Sequence, residues 1–156
     1  MEQSETKSGK AKADAPIAVS GWNDQPRRNA LKAQARQIKP GEFDGILAQY
    51  NFLAKKLKID NPPPLKVAVA PSFGGPGAHG NASGVTIDEP LLKVLNSREL
   101  KFLLDHELGH VKDQRAKKEF DDWQESERSA DKIALDVTHD REAGISGLSK
   151  IVGLPN

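Results

Sequence analysis

The five residues His106-Glu107-Leu108-Gly109-His110 constrain the fold of this chain more than any other stretch. In an α-helix, side chains four positions apart lie one above the other, so His106 and His110 can both offer a ring nitrogen to one metal ion. Glu107 lies roughly 100° further around the helix axis, beside such a metal, where a carboxylate can take a proton from bound water. The stretch therefore predicts a helix that carries a hydrolytic metal centre on one flank.

The sequence around these residues has the pattern of one long helix. Asn96 followed by Glu99 has the form of a capping box, which predicts where the helix begins. Basic residues suit the negative end of the helix dipole in the last turn, and they are Arg115, Lys117 and Lys118. A stripe of apolar side chains predicts a buried face beside the histidines: Leu100, Leu103, Leu104, Leu108 and Val111.

The part of the chain before the strands contains a tail and two helical patterns. Residues 1–25 have almost no large apolar side chain, which predicts a flexible N-terminal tail, and residues 27–39 predict a short helix. A second helix is predicted over residues 42–57 by apolar residues at helical spacing: Phe43, Ile46, Leu47, Tyr50, Leu53 and Leu57. The prolines at 62–64 prevent this helix from continuing.

The remaining segments complete the predicted fold. Residues 65–70 and 84–88 predict two short strands that pair across a glycine-rich loop at 72–84, and a brief helix then ends near Asn96. Asp121 or Asp122 can cap a helix after the histidines, and a terminal helix is predicted over residues 141–154. The predicted fold class is α+β: a small antiparallel or mixed sheet packed on the histidine helix, with a helical hairpin, in a single domain over residues 26–156.

Composition and charge narrow the possible ligands and partners. The chain has no cysteine, so thiolate ligands and a cysteine nucleophile are excluded, and a metal must be held by His, Asp or Glu. The formal net charge is only +1, so no electrostatic footprint argues for nucleic acid or an acidic membrane surface, and neither is expected as a partner. No apolar run approaches the roughly 20 residues that cross a bilayer, and the start of the chain lacks the apolar core of a signal peptide. We expect a soluble, cytoplasmic, monomeric protein, although secretion without a cleaved signal would leave the same pattern.

A catalytic zinc site usually has three protein ligands, so the two histidines leave one ligand to be found. A third histidine six residues after His110 is excluded, because position 116 is alanine. A helix that extends about seven residues past His110 travels roughly 10 Å, and an antiparallel helix returns about 7 Å by Glu127, roughly level with His110. Glu127 is therefore the better candidate, and Glu125 on the other side of the same helix is a weaker one. Asp131 lies one turn further, where it can accept a hydrogen bond from a ligand histidine.

These residues carry a resemblance to a known family. HELGH followed by Glu127-Arg128-Ser129-Ala130-Asp131 resembles the HExxH and ExxAD-type signature of gluzincin peptidases, particularly the HtpX-like group and the soluble minigluzincins. Upstream, Asn81-Ala82 and GVTIDEPLLKVLNSRELKFLLDHELGHV are similar to that group's Asn-Ala pair, edge strand, short helix and active-site helix. The resemblance covers about residues 65–138. The chain departs from this group in three ways. HtpX-like members are typically membrane-embedded, whereas this chain shows no spanning segment. The gap of 16 residues between His110 and Glu127 is shorter than in many relatives, and the charged Lys112 stands where an apolar residue is more usual.

The resemblance implies a zinc peptidase that acts on peptide or protein substrates. It implies one zinc ion per chain, held by His106, His110 and Glu127. It also implies that Glu107 is the general base and that Asp131 is a supporting residue.

The resemblance also implies where the substrate lies. An extended substrate would add itself to the sheet edge at residues 84–88, which include Val85, and Asn81 and Ala82 would hold its backbone. The resemblance does not identify the residue that donates a hydrogen bond to the oxyanion. His139 and Arg141 follow the Glu127 helix, where such donors occur in this group, and His79 lies in the predicted loop.

Two other interpretations remain. A repressor-directed protease of the ImmA type also carries HExxH on a small domain, but we expect Asn where Asp131 stands, and no helix-turn-helix pattern is present. The second alternative is a non-catalytic interaction module in which the metal is structural or absent.

Overall fold

The computed structural model describes residues 35–69 and 77–153, and this part of the chain has the predicted α+β architecture. Four strands form one sheet: β1 (Ala35–Gln37), β2 (Leu65–Ala68), β3 (Ala78–Asn81) and β4 (Gly84–Asp88). Five α-helices accompany the sheet: α1 (Ile46–Lys56), α2 (Glu89–Val94), α3 (Ser97–Arg115), α4 (Trp123–Thr138) and α5 (Arg141–Val152). The predicted tail, residues 1–25, lies outside the described residues. Within residues 35–69 and 77–153, no helix is both long and apolar enough to span a lipid bilayer.

The sheet is mixed, with the strand order β1-β2-β4-β3. β2 and β4 pair in parallel, whereas β1 pairs antiparallel with β2, and β3 pairs antiparallel with β4. The predicted pairing of the strands at 65–70 and 84–88 is therefore confirmed. β4 has a strand on each side and all of its residues are buried, so it forms the inside of the sheet rather than its edge.

Two strands correct the sequence-based expectation. Residues 35–37 belong to the predicted helix at 27–39 but form β1, in which Ala35 lies opposite Ala68, because pairing with β2 outweighs intrinsic helix propensity. Residues 78–81 belong to the predicted loop at 72–84 but form β3, in which His79 lies opposite Thr86. Residues 27–34 of that predicted helix and residues 72–76 of that predicted loop lie outside the described residues.

The first described helix begins later than predicted. Phe43 and Asp44 have positive φ angles of 51° and 57°, so residues 42–45 form a tight turn and α1 begins at Ile46. The helix then buries the predicted apolar face, which includes Ile46, Tyr50 and Leu53. The Tyr50 hydroxyl donates to the Pro63 carbonyl at 2.7 Å, which ties the proline turn to the helix.

Helix α3 begins at the predicted capping box. The Asn96 side chain accepts from the Glu99 amide at 2.9 Å, and the Glu99 carboxylate accepts from the Asn96 amide at 2.9 Å. Two orphan amides of the first turn are thereby satisfied. The helix runs through the middle of the core, where Leu104 and Leu108 are fully buried.

The C-terminal half of α3 is held by the end of α1. Lys112 Nζ donates to the Leu57 carbonyl at 3.0 Å, and Arg115 donates to the carbonyls of Asp60 and Asn61. These carbonyls follow the end of α1, where positive charge is favoured by the helix dipole. The charged Lys112, which departs from the gluzincin-like pattern, therefore has a structural role in this chain.

The last two helices follow the prediction closely. Asp122 rather than Asp121 caps α4, and its carboxylate accepts from the Glu125 amide at 2.8 Å. Helix α5 packs on α3 through the buried Glu99, whose carboxylate accepts from Lys150 and Ser146, each at 2.7 Å. Besides its partner α4 in the helical hairpin, α3 therefore contacts β3, α1 and α5.

Candidate metal centre

Helix α3 brings together three side chains that could hold a metal ion. One ligand atom from each of His106, Glu107 and His110 lies within 4.8 Å of the others. The two imidazole rings meet edge to face, with their centroids 4.8 Å apart and an angle of 85° between the ring planes. This is the arrangement that the i, i+4 spacing predicts for one helical turn.

Glu127 meets both histidines from the neighbouring helix. Its Oε1 lies 3.1 Å from His106 Nε2, and its Oε2 lies 2.8 Å from His110 Nε2. The predicted return of α4 to the level of the histidines is therefore confirmed as geometry. The role of Glu127 as a metal ligand stays a prediction. The Glu125 amide and carboxylate instead take part in the cap of α4, where the carboxylate accepts from the Asp121 amide at 2.8 Å.

Small residues allow the two helices to come this close. A Cβ atom at Gly109 would lie 3.2 Å from the Cα and 3.3 Å from the carbonyl oxygen of Ala130. Gly109 directly precedes His110 on α3, and Ala130 follows Glu127 by three residues on α4. The glycine therefore sets the spacing at which the Glu127 carboxylate reaches both imidazoles.

Asp131 lies against the other ring nitrogen of His106. Its Oδ1 is 2.7 Å from Nδ1, one turn of α4 beyond Glu127. A carboxylate in this position holds the proton on Nδ1 and leaves Nε2 to face the cluster. The predicted placement of Asp131 is therefore confirmed as geometry, whereas its supporting role for a metal stays a prediction.

The electrostatics of the cluster favour positive charge between the imidazoles. Burial alone would lower the pKa of His106, but hydrogen bonds to Asp131 and Glu127 outweigh burial and raise that pKa well above its ordinary value. Burial would raise the pKa of Glu127, but its hydrogen bond to His106 and its close contact with His110 outweigh this and lower the pKa to about 2. The cluster is therefore built to stabilise a cation, whether a proton or a metal ion.

The donor set fits zinc. Two imidazoles and one carboxylate are a ligand set used by catalytic zinc sites, which leave a further position for water or substrate. All three side chains belong to helices rather than loops, and the hydrogen bond to Asp131 orients one imidazole. Glu107, fully buried on the same turn as His106, is close enough to act on a group bound there.

The predicted substrate-binding residues Asn81 and Ala82 lie at the end of β3 and in the turn that follows it. Asn81 Oδ1 accepts from the Ser83 amide at 2.8 Å and from the Ser83 hydroxyl at 2.6 Å, so this side chain closes the turn between β3 and β4. The Ala82 amide donates to the Gln114 side chain on α3. Both groups therefore hold the turn in place.

The prediction that residues 84–88 form a sheet edge is wrong. Val85 is fully buried in β4, with Leu65 on one side and Gly80 on the other, so its main chain is already paired and cannot accept an extended substrate. Among the described strands, β3 is the one at the edge of the sheet next to α3. Strand order depends on pairing between distant segments, which the alternation of residues in one strand does not encode.

The structure does not bring His139 to the cluster. His139 ends α4 with a positive φ of 52° and is exposed, and the next residue, Asp140, pairs with Arg98 at 2.6 Å. Arg98 precedes His106 by eight residues of α3, which corresponds to about 12 Å along the helix axis. The assignment of His139 as a catalytic donor is therefore corrected, and Arg141, the first residue of α5, lies at the same end. His79, the third candidate, is buried in β3.

Two residues near the cluster were missed by sequence reasoning. Gly80 lies in β3 directly against the main chain of Glu107, and only its position between His79 and Asn81 in a glycine-rich stretch could have drawn attention to it. Asp105 is fully buried one residue before His106, although charged residues on a helix are usually exposed.

The fold and the cluster together define an α+β chain in which a two-histidine helix faces a glutamate on an antiparallel helix. Comparison of the chain with protein-family models, with curated proteins and with solved structures finds no match. The function is therefore argued from the geometry of the cluster.

Proposed function

We propose that this protein is a zinc-dependent peptidase that cleaves peptide bonds within peptide or protein substrates. The observation that carries the proposal is the position of Glu127, whose two carboxylate oxygens lie within 3.1 Å of the Nε2 atoms of His106 and His110. A helical hairpin that brings a carboxylate to two imidazoles supplies the three protein ligands that a catalytic zinc site usually has. His106, His110 and Glu127 would hold one zinc ion per chain, and the ion would supply Lewis acidity toward the scissile carbonyl and the attacking water.

The other residues of the site have separate tasks. Glu107 takes a proton from the attacking water and passes it to the leaving amine. Asp131 keeps the His106 proton on Nδ1 through the 2.7 Å contact, so that Nε2 stays available on the side of the cluster. Strand β3, at the sheet edge beside α3, offers main-chain hydrogen bonds to an extended substrate. We place this activity in the cytoplasm and expect the monomer to suffice for it.

The experiment combines metal analysis with three variants. Purified protein should contain about one zinc per chain, and Glu127→Ala should lose most of it because one ligand is removed. Glu107→Gln should keep the zinc and lose at least about 100-fold in the cleavage of an unfolded protein substrate, the size expected for a general base. Glu119→Gln is the matched control, since this exposed glutamate lies outside the cluster. Wild-type protein that binds no zinc, or Glu107→Gln with native turnover, would refute the proposal.

One observation favours a second candidate, a metal-stabilised module without catalytic activity. His106 and Glu107 are both 0% exposed, whereas a hydrolytic centre has to admit substrate. In this case zinc raises the unfolding temperature, but neither wild type nor Glu107→Gln cleaves any substrate. The same panel of proteins therefore separates the two candidates.

A further inference from the structure

Strand β3 rests directly on the main chain of Glu107. A Cβ atom placed on Gly80 would lie 2.5 Å from the carbonyl oxygen of Glu107 and 3.1 Å from its Cβ. This distance is shorter than the 2.9 Å found at Gly144, and the atom approached is backbone rather than the end of a flexible side chain. Gly80 does not have a positive φ, so the position requires glycine for space and not for backbone conformation.

The strand is held at both of its ends. Before β3, the Gly77 amide donates to the Asp88 carboxylate at 2.7 Å, and the Gly77 carbonyl accepts from the Asp88 amide at 2.8 Å. After β3, the Ala82 amide donates to the Gln114 side chain, which belongs to α3 itself. The pairing of Gly80 with Val85 fixes the register between these points. Because these contacts hold the strand at both ends, we expect an added methyl group at position 80 to shift residue 107 rather than to detach the strand.

We propose that Gly80 is a positioning residue, which sets the place of the Glu107 carboxylate relative to the sheet edge at β3. This inference rests on the proposed peptidase function, in which Glu107 is the base and β3 receives the substrate. We expect the proposed zinc ligands to keep their places, because His106, His110 and Glu127 are also held by the contact between α3 and α4. Gly80 would thus govern turnover without governing metal binding.

The test is Gly80→Ala, with Gly147→Ala as the matched control. Gly147 also faces a glutamate of α3, but a Cβ atom there would lie 3.4 Å from the Glu99 Cβ, which is an ordinary contact distance. We expect Gly80→Ala to keep about one zinc per chain and to lose at least about tenfold in kcat with KM within about twofold, as expected for a misplaced catalytic group. Gly147→Ala should keep both constants within about twofold of wild type.

Hydrogen exchange of the metal-free protein supplies a readout that does not depend on activity. In Gly80→Ala, the amides of Gly77 and Ala82 should keep their protection within about threefold, because the strand ends hold while residue 107 moves. The further variant Gln114→Ala releases one strand end. Combined with Gly80→Ala, it should restore at least about threefold in kcat, since the strand can then yield to the methyl group.

Each outcome decides the inference. Native kcat in zinc-loaded Gly80→Ala overturns it, and so does a loss of kcat accompanied by loss of amide protection at both strand ends, because the strand has then simply detached. If Gly80→Ala does not fold, the double variant Gly80→Ala/Gln114→Ala decides: it should keep its zinc and lose about threefold in kcat relative to Gln114→Ala alone, and equal kcat overturns the inference. A zinc-loaded wild type without peptidase activity would refute the proposed function instead.

Discussion

Replacing Asp105 with asparagine should remove a pH-dependent cost from the core of the protein. Asp105 lies in α3 and is 0% exposed, and neither of its carboxylate oxygens has a hydrogen-bond partner within the described part of the chain. Burial raises the pKa of this carboxyl to about 7, although the charges of Lys101 and Lys56 act in the opposite direction. The folded protein therefore favours the protonated, neutral acid.

The sign and the size of the effect follow from linkage. The ordinary pKa of 3.8 applies to the unfolded chain, so between about pH 4 and about pH 7 the folded state binds more protons than the unfolded state, and stability falls as the pH rises. A pKa difference of about 3 units corresponds to at most about 4 kcal/mol of unfolding free energy. This stability is fully present below pH 4 and is lost once the pH has passed about 7.

Urea unfolding in the presence of a chelator measures this cost directly. Asparagine has a similar shape and does not titrate, so the stability of Asp105→Asn relative to wild type should rise by about 2 to 3 kcal/mol between pH 5 and pH 8. Asp136→Asn, at an exposed position of α4, is the control and should stay within about 0.5 kcal/mol of wild type at both pH values. A difference between Asp105→Asn and wild type that does not change with pH would refute the reasoning.

Two further predictions concern carboxylates on the helices around the cluster. Asp131→Asn should weaken zinc binding by about 10- to 100-fold, because it removes the carboxylate that accepts from His106 Nδ1. Asp136→Asn on the same helix is the control and should leave the zinc affinity unchanged. Equal affinities of the two variants in a competitive chelator titration would contradict the role of Asp131. Glu99→Gln should cost about 1.5 to 3 kcal/mol of unfolding free energy at pH 7, because it weakens the bonds from Lys150 and Ser146. Burial acts to raise the pKa of Glu99, but these bonds outweigh burial and lower the pKa below 4.5. The loss of unfolding free energy in Glu99→Gln should therefore shrink as the pH falls through that lowered pKa. A loss at pH 3 equal to the loss at pH 7 would contradict this assignment.

The helical hairpin could be predicted from the sequence because its geometry follows from residue spacing within neighbouring segments of the chain. The i, i+4 spacing of the histidines fixes their common face, and the rise per residue places Glu127 level with His110 once α4 turns back. The capping box at Asn96 and the cap at Asp122 are likewise short-range patterns. These features do not depend on which distant segment packs against the helix.

The sheet could not be predicted to the same extent, because its strands are chosen by distant partners. Gly80 lowers the β propensity of its segment, yet the lack of a side chain is what admits the strand against α3. Ala35 lies in a segment of good helix formers and forms a strand because β2 offers it an edge. The burial of Asp105 is equally non-local, since nothing in the neighbouring residues indicates that other elements will cover it.

Two contacts of helix α3 differ in how far along the chain their partners lie. The contact between His106 and Glu127 joins residues 21 positions apart, whereas the contact between Lys112 and the end of α1 joins residues 55 positions apart. Closing the shorter loop costs less chain entropy, and contacts between near neighbours in sequence generally form faster during folding. The hairpin can therefore assemble its imidazoles and carboxylate before α1 docks, so that a cation present during synthesis meets its binding residues while the rest of the fold is still incomplete.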